Sequence, residues 1–378
     1  MQELPVSDAA EYTLLPMTTT SQPAPPVSAQ DLETILEKTE HLWEELRGRR
    51  IFITGGTGFF GCWLLESFLA ANQAMHLQAQ AVVLTRSSEK FRRRAPHLAN
   101  HSSIELLEGD VRDFPFPSGE FPFVIHAATE SVQANPAETA ESQLSTIVEG
   151  TRRCLEFAES HGAAKFLLTS SGAVYGPQPS EMTHIAEDYR GAPDVLRPNS
   201  VYGEGKRLAE MLCALSSART GMECKIARCF AFVGPHLPLD AHFAIGNFIR
   251  DAMRGGPIVI HGDGTPMRSY MYAADLAVWL WTMLFQAEPL RAFNVGSEQD
   301  LSIRAVAEAV VAAICPGAEI AIARSAVPGA PVQRYVPSVQ AAKQSLKLTD
   351  GISLIEAIQR TAAWHRSGRQ LFPNAESH

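Results

Sequence analysis

From Arg50 onward the chain alternates short apolar runs with longer amphipathic stretches, and few architectures accommodate that alternation. The runs read "IFIT", "AVVLT", "IELLEG", "FVIHAA", "KFLLTS" and "CKIARCF", with helical periodicity over 59–72, 139–161 and 201–219. Strands separated by helices make βαβ crossovers, which predict a parallel sheet with helices on both faces. The expected fold class is therefore α/β, a doubly wound parallel sheet of the Rossmann type, over residues 48–233. After Gly234 the pattern loosens, and the chain returns to the sheet once, around 273–296. Residues 234–272 and 297–378 are assigned to a smaller, substrate-binding lobe.

Ahead of the sheet, residues 1–27 are rich in Pro, Ser and Thr ("MTTTSQPAPPVS"), too poor in large apolar groups to offset the entropy of ordering. Disorder is expected there. Ser28 and Asp31 fit a capping box, and Leu32, Ile35, Leu36, Trp43 and Leu46 recur at helical spacing, predicting one helix over 28–47. The net charge of −9 gives no general attraction for nucleic acid or an anionic membrane, though a local basic pocket could still hold phosphates. Six scattered cysteines without CxxC pairs, and no His cluster at zinc spacing, indicate neither a disulfide framework nor a metal site. With no leader-like start and no apolar stretch of about 18 residues, a soluble, cytoplasmic chain is expected.

"ITGGTGFFG" sets Gly55, Gly58 and Gly61 between the first strand and the first helix. Glycines at that junction allow a tight turn and let backbone N–H groups approach a pyrophosphate, so Gly55, Gly58, Phe59, Phe60 and Gly61 form a candidate dinucleotide loop. Where an NAD site would offer a carboxylate to the adenosine ribose, the sequence reads "LTRSS". Thr85 and Arg86 suit a 2′-phosphate, favouring NADP(H) over NAD. Alternatively, Arg86 opens a solvated basic face with Lys90, Arg92, Arg93 and Arg94. "GDVRD" places Asp110 and Val111 where they would cover the adenine, and "HAATES" places Ala127 and Ala128 near the nicotinamide; ordinary strand-end turns account for both equally well.

"NSVYGEGKRLAE" puts Tyr202 and Lys206 on one face of a helix. A phenol is a poor base at neutral pH, but an ammonium beneath it and an oxidised nicotinamide beside it both favour phenolate. Tyr202 would then exchange a proton with a substrate hydroxyl or ketone, while Lys206 holds the nicotinamide ribose. Ser171, ending the strand "LLTSSGAVYG", lies where parallel sheets place ligands and can hydrogen-bond the reacting oxygen. Ser170 is expected to serve the backbone turn, and Tyr175 to be either a packed aromatic or a substrate contact.

Gly55/Gly58/Gly61, "SSGAVYG" and Tyr202/Lys206, in this order, resemble the extended short-chain dehydrogenase/reductase family that modifies nucleotide sugars. The resemblance covers roughly 48–345, and "EGKR.AE" and "RSY.Y..DL" are especially similar to UDP-glucuronate decarboxylases. It implies that Asn247 and Arg268 hold the nucleotide-sugar phosphates, and that the helices at 139–161 and 201–219 pair with a second copy in a homodimer. The departures are specific. Gly172 and Ala173 stand where related dehydratases carry Asp and Glu and decarboxylases a Glu; Ile147 and Gly205 replace an Asn and a Ser. Without that carboxylate, hydride transfer at sugar C4 by an epimerase or 4-keto reductase is the expected activity. The alternatives are a decarboxylase or 4,6-dehydratase whose base is displaced, to Glu130 or Glu204 for example, and a non-catalytic dinucleotide sensor.

Overall fold

The computed structural model describes residues 23–129, 139–241 and 243–370. Ser28 Oγ accepts from the Asp31 amide at 3.1 Å and starts α1 (Ala29–Thr39), but the chain continues as a 3₁₀ turn over Glu40–Leu46. The single helix expected there is broken at Thr39. Its hydroxyl donates back to the Ile35 carbonyl at 2.6 Å and accepts from Trp43 Nε1 at 2.9 Å, a competing bond that bends helices. A second correction concerns the expected tail. Residues 23–27 are pinned: the Val27 amide donates to Glu66 Oε1 at 3.2 Å, and Trp364 Nε1 donates to the Pro25 carbonyl at 3.0 Å. Composition undervalued these few backbone groups because their partners lie far along the chain.

The first six strands, β1 (Arg50–Thr54), β2 (Gln80–Thr85), β3 (Ile104–Glu108), β4 (Phe123–His126), β5 (Lys165–Ser171) and β6 (Glu223–Cys229), belong to one sheet. Four short ones, β7 (Phe232–Val233), β8 (Ile258–Ile260), β9 (Met267–Arg268) and β10 (Met271–Tyr272), lie outside it before β11 (Ala292–Val295) rejoins. The order is β11-β6-β5-β4-β1-β2-β3, with every neighbour parallel. The strand order reverses between β1 and β4, so the crevice beyond their carboxyl ends is the natural ligand position.

Both faces of the sheet are covered, which is why its strands read as continuous apolar runs. Ile51 and Ile53 of β1 enter one core and Phe52 the other. On one side lie α2 (Phe59–Ala74) and, later, α8 (Ala273–Gln286), which is buried from Ala273 to Phe285. A helix apolar all round has no solvent face, and α8 is enclosed by α1, α2 and the sheet. The short α3 (Ser88–Arg94) and α4 (Pro96–Ala99) follow β2, and α5 (Ala140–Ser160) and α6 (Val201–Thr220) pack together on the opposite face.

The remaining elements form the lobe: α7 (Ala244–Met253), β12 (Leu301–Ser302), α9 (Ile303–Ile314), β13 (Ile320–Ile322), β14 (Arg334–Tyr335), α10 (Gln340–Leu346) and α11 (Leu354–Gln370). Here β9 is flanked by β12 and β14, and the parallel β9–β14 register sets Tyr335 beside Arg268.

A buried chain of hydrogen bonds ties the ends of β1 and β4 to α5. Thr54 Oγ1 lies 2.8 Å from His126 Nδ1, and His126 Nε2 lies 3.1 Å from Thr151 Oγ1. Burial, aided by the Lys206 charge, lowers His126 to about 3, so the folded protein holds it neutral. The unfolded chain binds a proton there below about pH 6.5, and unfolding is therefore favoured as pH falls from 6.5 toward 3. Denaturant titrations should show stability declining through that window by up to about 1.4 kcal/mol per pH unit from this group, a slope that His126→Asn should flatten.

Candidate active site

At the switch point the glycine loop presses directly on the end of β4. Gly55 has φ +70°, and a Cβ there would lie 2.4 Å from the Ala127 carbonyl oxygen. A Cβ on Gly61 would lie 2.3 Å from the Gly55 carbonyl oxygen, and Gly58 is the N-cap of α2, its amide donating to that same carbonyl at 2.9 Å. The loop is thus a cradle that side chains would fill, and it delivers the α2 N-terminus to the crevice, as a pyrophosphate requires. Phe59 and Phe60 open α2, with Phe60 edge-on to Phe232 at 5.0 Å. The Ala127 amide donates to the Thr54 carbonyl at 3.2 Å and the Ala128 amide to Thr54 Oγ1 at 3.1 Å, so this backbone lines the same crevice.

At the far end of the crevice the sequence expectation is only partly matched by the local bonding. Thr85 is buried, and its Oγ1 lies 3.3 Å from the Ser87 amide that donates to it, which occupies the hydroxyl in a turn. Arg86 is exposed, and its charge acts on Asp110. Arg112, bonded at 2.8 Å to each Asp110 oxygen, holds that carboxyl below its usual range, with Arg86 adding to the effect. Val111 is buried against Gly150 of α5. The basic run is not uniformly solvated either: Arg93 pairs with Glu89, but Arg94 folds back to the Thr57 carbonyl of the glycine loop and to Cys62 Sγ.

Ser171, Tyr202 and Lys206 come together where β5 meets the start of α6. Ser171 lies near enough to the Tyr202 phenol to favour its ionised form, and Lys206 Nζ lies 5.9 Å from the Tyr202 ring centre while donating to the Thr169 carbonyl at 2.8 Å. The expectation of a phenol acidified mainly by the ammonium needs correcting. Desolvation pushes Tyr202 up to about 12, partly opposed by Ser171, and burial lowers Lys206 to about 8. Neutral-pH phenolate at Tyr202 therefore requires about 7 kcal/mol of favourable interaction from bound cofactor and substrate, beyond what Lys206 provides.

Two neighbouring predictions also resolve. Ser170 does not serve the turn; its Oγ donates to Glu210 of α6 at 2.5 Å, and Glu210 pairs with Arg228 at 2.7 Å. Tyr175 is a packed aromatic, donating to Asn294 Oδ1 and accepting from Arg228. In the lobe, Asn247 Oδ1 accepts from Arg250 at 3.1 Å, and Arg268 donates to the Met267 carbonyl at 2.8 Å. Glu204 is in an ion pair with Arg207 at 3.7 Å, while Glu130 lies outside the described residues. A residue the sequence did not single out completes the group: Tyr335, whose hydroxyl is 3.4 Å from Ser171 Oγ. The β9–β14 pairing brings it there, together with the bonds of Val336 to Gln178 and Ile185, and a two-residue strand carries no periodicity to announce it.

The departures from the expected family pattern have a steric account. A Cβ on Gly172 would meet the Phe230 ring at 2.6 Å, so the ring occupies the space a carboxylate at that position would need. A Cβ on Gly205 would lie 3.1 Å from Ile147 Cδ1, so the two altered helix positions face each other across α5 and α6. Among the described residues no cluster of His, Cys, Asp and Glu could hold a metal ion, and no helix is long and apolar enough to cross a membrane.

A glycine cradle at the switch point of a parallel sheet, with Ser, Tyr and Lys on adjoining elements, defines a Rossmann protein of the extended short-chain dehydrogenase/reductase type. The model of the NAD dependent epimerase/dehydratase family matches residues 51–296, and the chain belongs to that family. UDP-glucuronic acid decarboxylase 3 of Arabidopsis thaliana is 31% identical over 322 residues, 81% of this chain and 88% of that protein. UDP-glucuronic acid decarboxylase 1 of Xenopus tropicalis is 28% identical over 318 residues, 84% and 72% of the two chains. Among solved structures, the fold matches UDP-glucose 4-epimerase of Thermotoga maritima with TM-score 0.70 at 20% identity, covering 84% of this chain and 99% of that one. It matches the dTDP-glucose 4,6-dehydratase DesIV of Streptomyces venezuelae, solved with NAD bound, with TM-score 0.71 at 21% identity, covering 86% and 99%.

Two substitutions test this geometry. Gly61→Ala should weaken dinucleotide binding by about tenfold or more in a fluorescence titration, because the methyl displaces the loop. Gly172→Asp should destabilise the fold by roughly 1–3 kcal/mol in denaturant unfolding, as Phe230 is forced from its place.

Proposed function

We propose that this chain is an NAD(P)-dependent enzyme that oxidises or reduces a nucleotide-diphosphate sugar at C4, as an epimerase or a 4-keto reductase. What supports this most is the convergence of Ser171, Tyr202 and Lys206 beside the glycine crevice, with Phe230 in the place of an eliminating carboxylate. When bound, the nicotinamide supplies or accepts the hydride at the sugar carbon.

The protein's own groups manage the proton. Ser171 donates a hydrogen bond to the reacting oxygen, and Tyr202 takes the proton from it or returns it. Lys206, fixed by the Thr169 carbonyl, adds positive charge that favours phenolate. Gly55, Gly58, Phe59, Phe60 and Gly61 hold the cofactor pyrophosphate, Asp110 and Val111 border the adenine, and Ala127 and Ala128 border the nicotinamide. Asn247 and Arg268 hold the substrate diphosphate. At the end of β2, Arg86 stands where a ribose-binding carboxylate would exclude a 2′-phosphate, which supports NADP(H) over NAD; Thr85 contributes less, its hydroxyl being engaged. A homodimer belongs to the same proposal, supported by Leu208, Met211 and Leu215, all exposed on α6.

A second activity is favoured by the relatives' names. On a 4-keto uronic acid the C6 carboxylate is β to the ketone and leaves as CO2 without a base, so decarboxylation needs nothing at Gly172 or Ala173.

Purified protein should be offered UDP- and dTDP-sugars, including UDP-glucuronate, while nicotinamide absorbance and released CO2 are followed. Stoichiometric consumption of NADPH identifies a reductase, turnover without net cofactor change an epimerase, and CO2 release the decarboxylase. Tyr202→Phe should lower turnover by about a hundredfold or more. If no nucleotide sugar reacts, or Tyr202→Phe leaves turnover unchanged, the proposal fails and a dinucleotide sensor takes its place.

A further inference from the structure

Ser171 Oγ carries one proton and can accept two hydrogen bonds. The Ala173 amide already donates to it at 3.1 Å. The Tyr335 hydroxyl lies 3.4 Å away, delivered by β14 from the far lobe and backed by the Phe230 ring at 4.7 Å between centres. We propose that Tyr335 is a positioning residue of the reaction, its phenol donating to Ser171 Oγ and so leaving the one Ser171 proton as a donor toward Tyr202 or, with substrate bound, toward the reacting oxygen.

This role rests on the C4 proposal above but can be tested apart from it. The other groups facing Tyr335 are the Arg268 guanidinium, which accepts no proton, the Cys229 thiol and the Tyr202 phenol, and Ser171 Oγ is the partner within hydrogen-bonding distance of its hydroxyl. Burial keeps the Tyr335 phenol above its ordinary range, so it stays protonated as a donor. With both acceptor positions of Ser171 filled, rotation of its hydroxyl cannot turn it into an acceptor from Tyr202. That direction stabilises phenolate at Tyr202 and a ketone oxygen alike. Phe230 therefore serves two ends, closing the space beside Gly172 and holding the Tyr335 ring over Ser171.

Tyr335→Phe keeps the ring and its contact with Phe230 while removing the donor. The expected result is a loss of roughly tenfold in kcat with KM for the nucleotide sugar within about twofold, and an acid limb of the pH–rate profile moved to higher pH. In the Ser171→Ala background the same change should cost nothing further, because Tyr335 acts through that oxygen. Phenolate absorbance of the cofactor-bound protein, taken as the difference from Tyr202→Phe, should show Tyr202 titrating at higher pH in Tyr335→Phe. This last measurement needs no turnover, so it decides the matter even if no nucleotide sugar proves to be a substrate. An unchanged Tyr202 titration, or losses from Tyr335→Phe and Ser171→Ala that simply add, would overturn the assignment.

Discussion

The carboxyl end of β5 is one place where the two halves of the molecule meet, and there a single oxygen gathers groups from both. Ser171 Oγ accepts from the Ala173 amide and meets the lobe's Tyr335 hydroxyl, with Tyr202 beside it on α6. Each partner comes from a different segment, and none is aligned without the sheet. The seven-residue pairing of β5 with β6 places Ser171 opposite Cys229, and one residue further along stands Phe230, against which the lobe's Tyr335 rests. The lobe thus reaches the serine through the Tyr335 hydroxyl, whose ring rests on Phe230.

Beneath that edge the polar residues are arranged to stiffen α6 against the sheet. Lys206 reaches the Thr169 carbonyl and Glu210 takes Ser170 and Arg228, so α6 is tied to β5 and β6 at successive turns. The Glu210–Arg228 pair is half-hidden from water and shares Arg228 with Tyr175, which in turn bonds Asn294 of β11. Hydrogen-bonded networks of this sort specify one arrangement of their elements, since a partly satisfied version is costly. The catalytic-type helix is therefore positioned by backbone carbonyls and an ion pair, leaving Tyr202 and the Ser171 proton free of structural duty.

Much of this was legible in the sequence. The first six strands and the helices α2, α5 and α6 follow from apolar periodicity, and the glycine loop from its place between strand and helix, because those signals are local. Tyr335 was not legible, since its position depends on a contact 164 residues from Ser171. Nor was the burial that sets Tyr202 and Lys206 in opposite directions from their ordinary values, because a spacing of four residues records proximity and says nothing of solvent. The break at Thr39 and the anchoring of residues 23–27 escaped for the same reason: their decisive partners, Trp43 and Glu66, act through single hydrogen bonds rather than through pattern.

Ile147 and Gly205 are coupled across the contact of α5 with α6. A branched side chain on one helix fills the hollow left by a missing one on the next, so each is explained by its neighbour rather than by the chemistry nearby. A side chain returned to 205 would crowd Ile147 unless 147 also became smaller, so neither position can change without regard to the other.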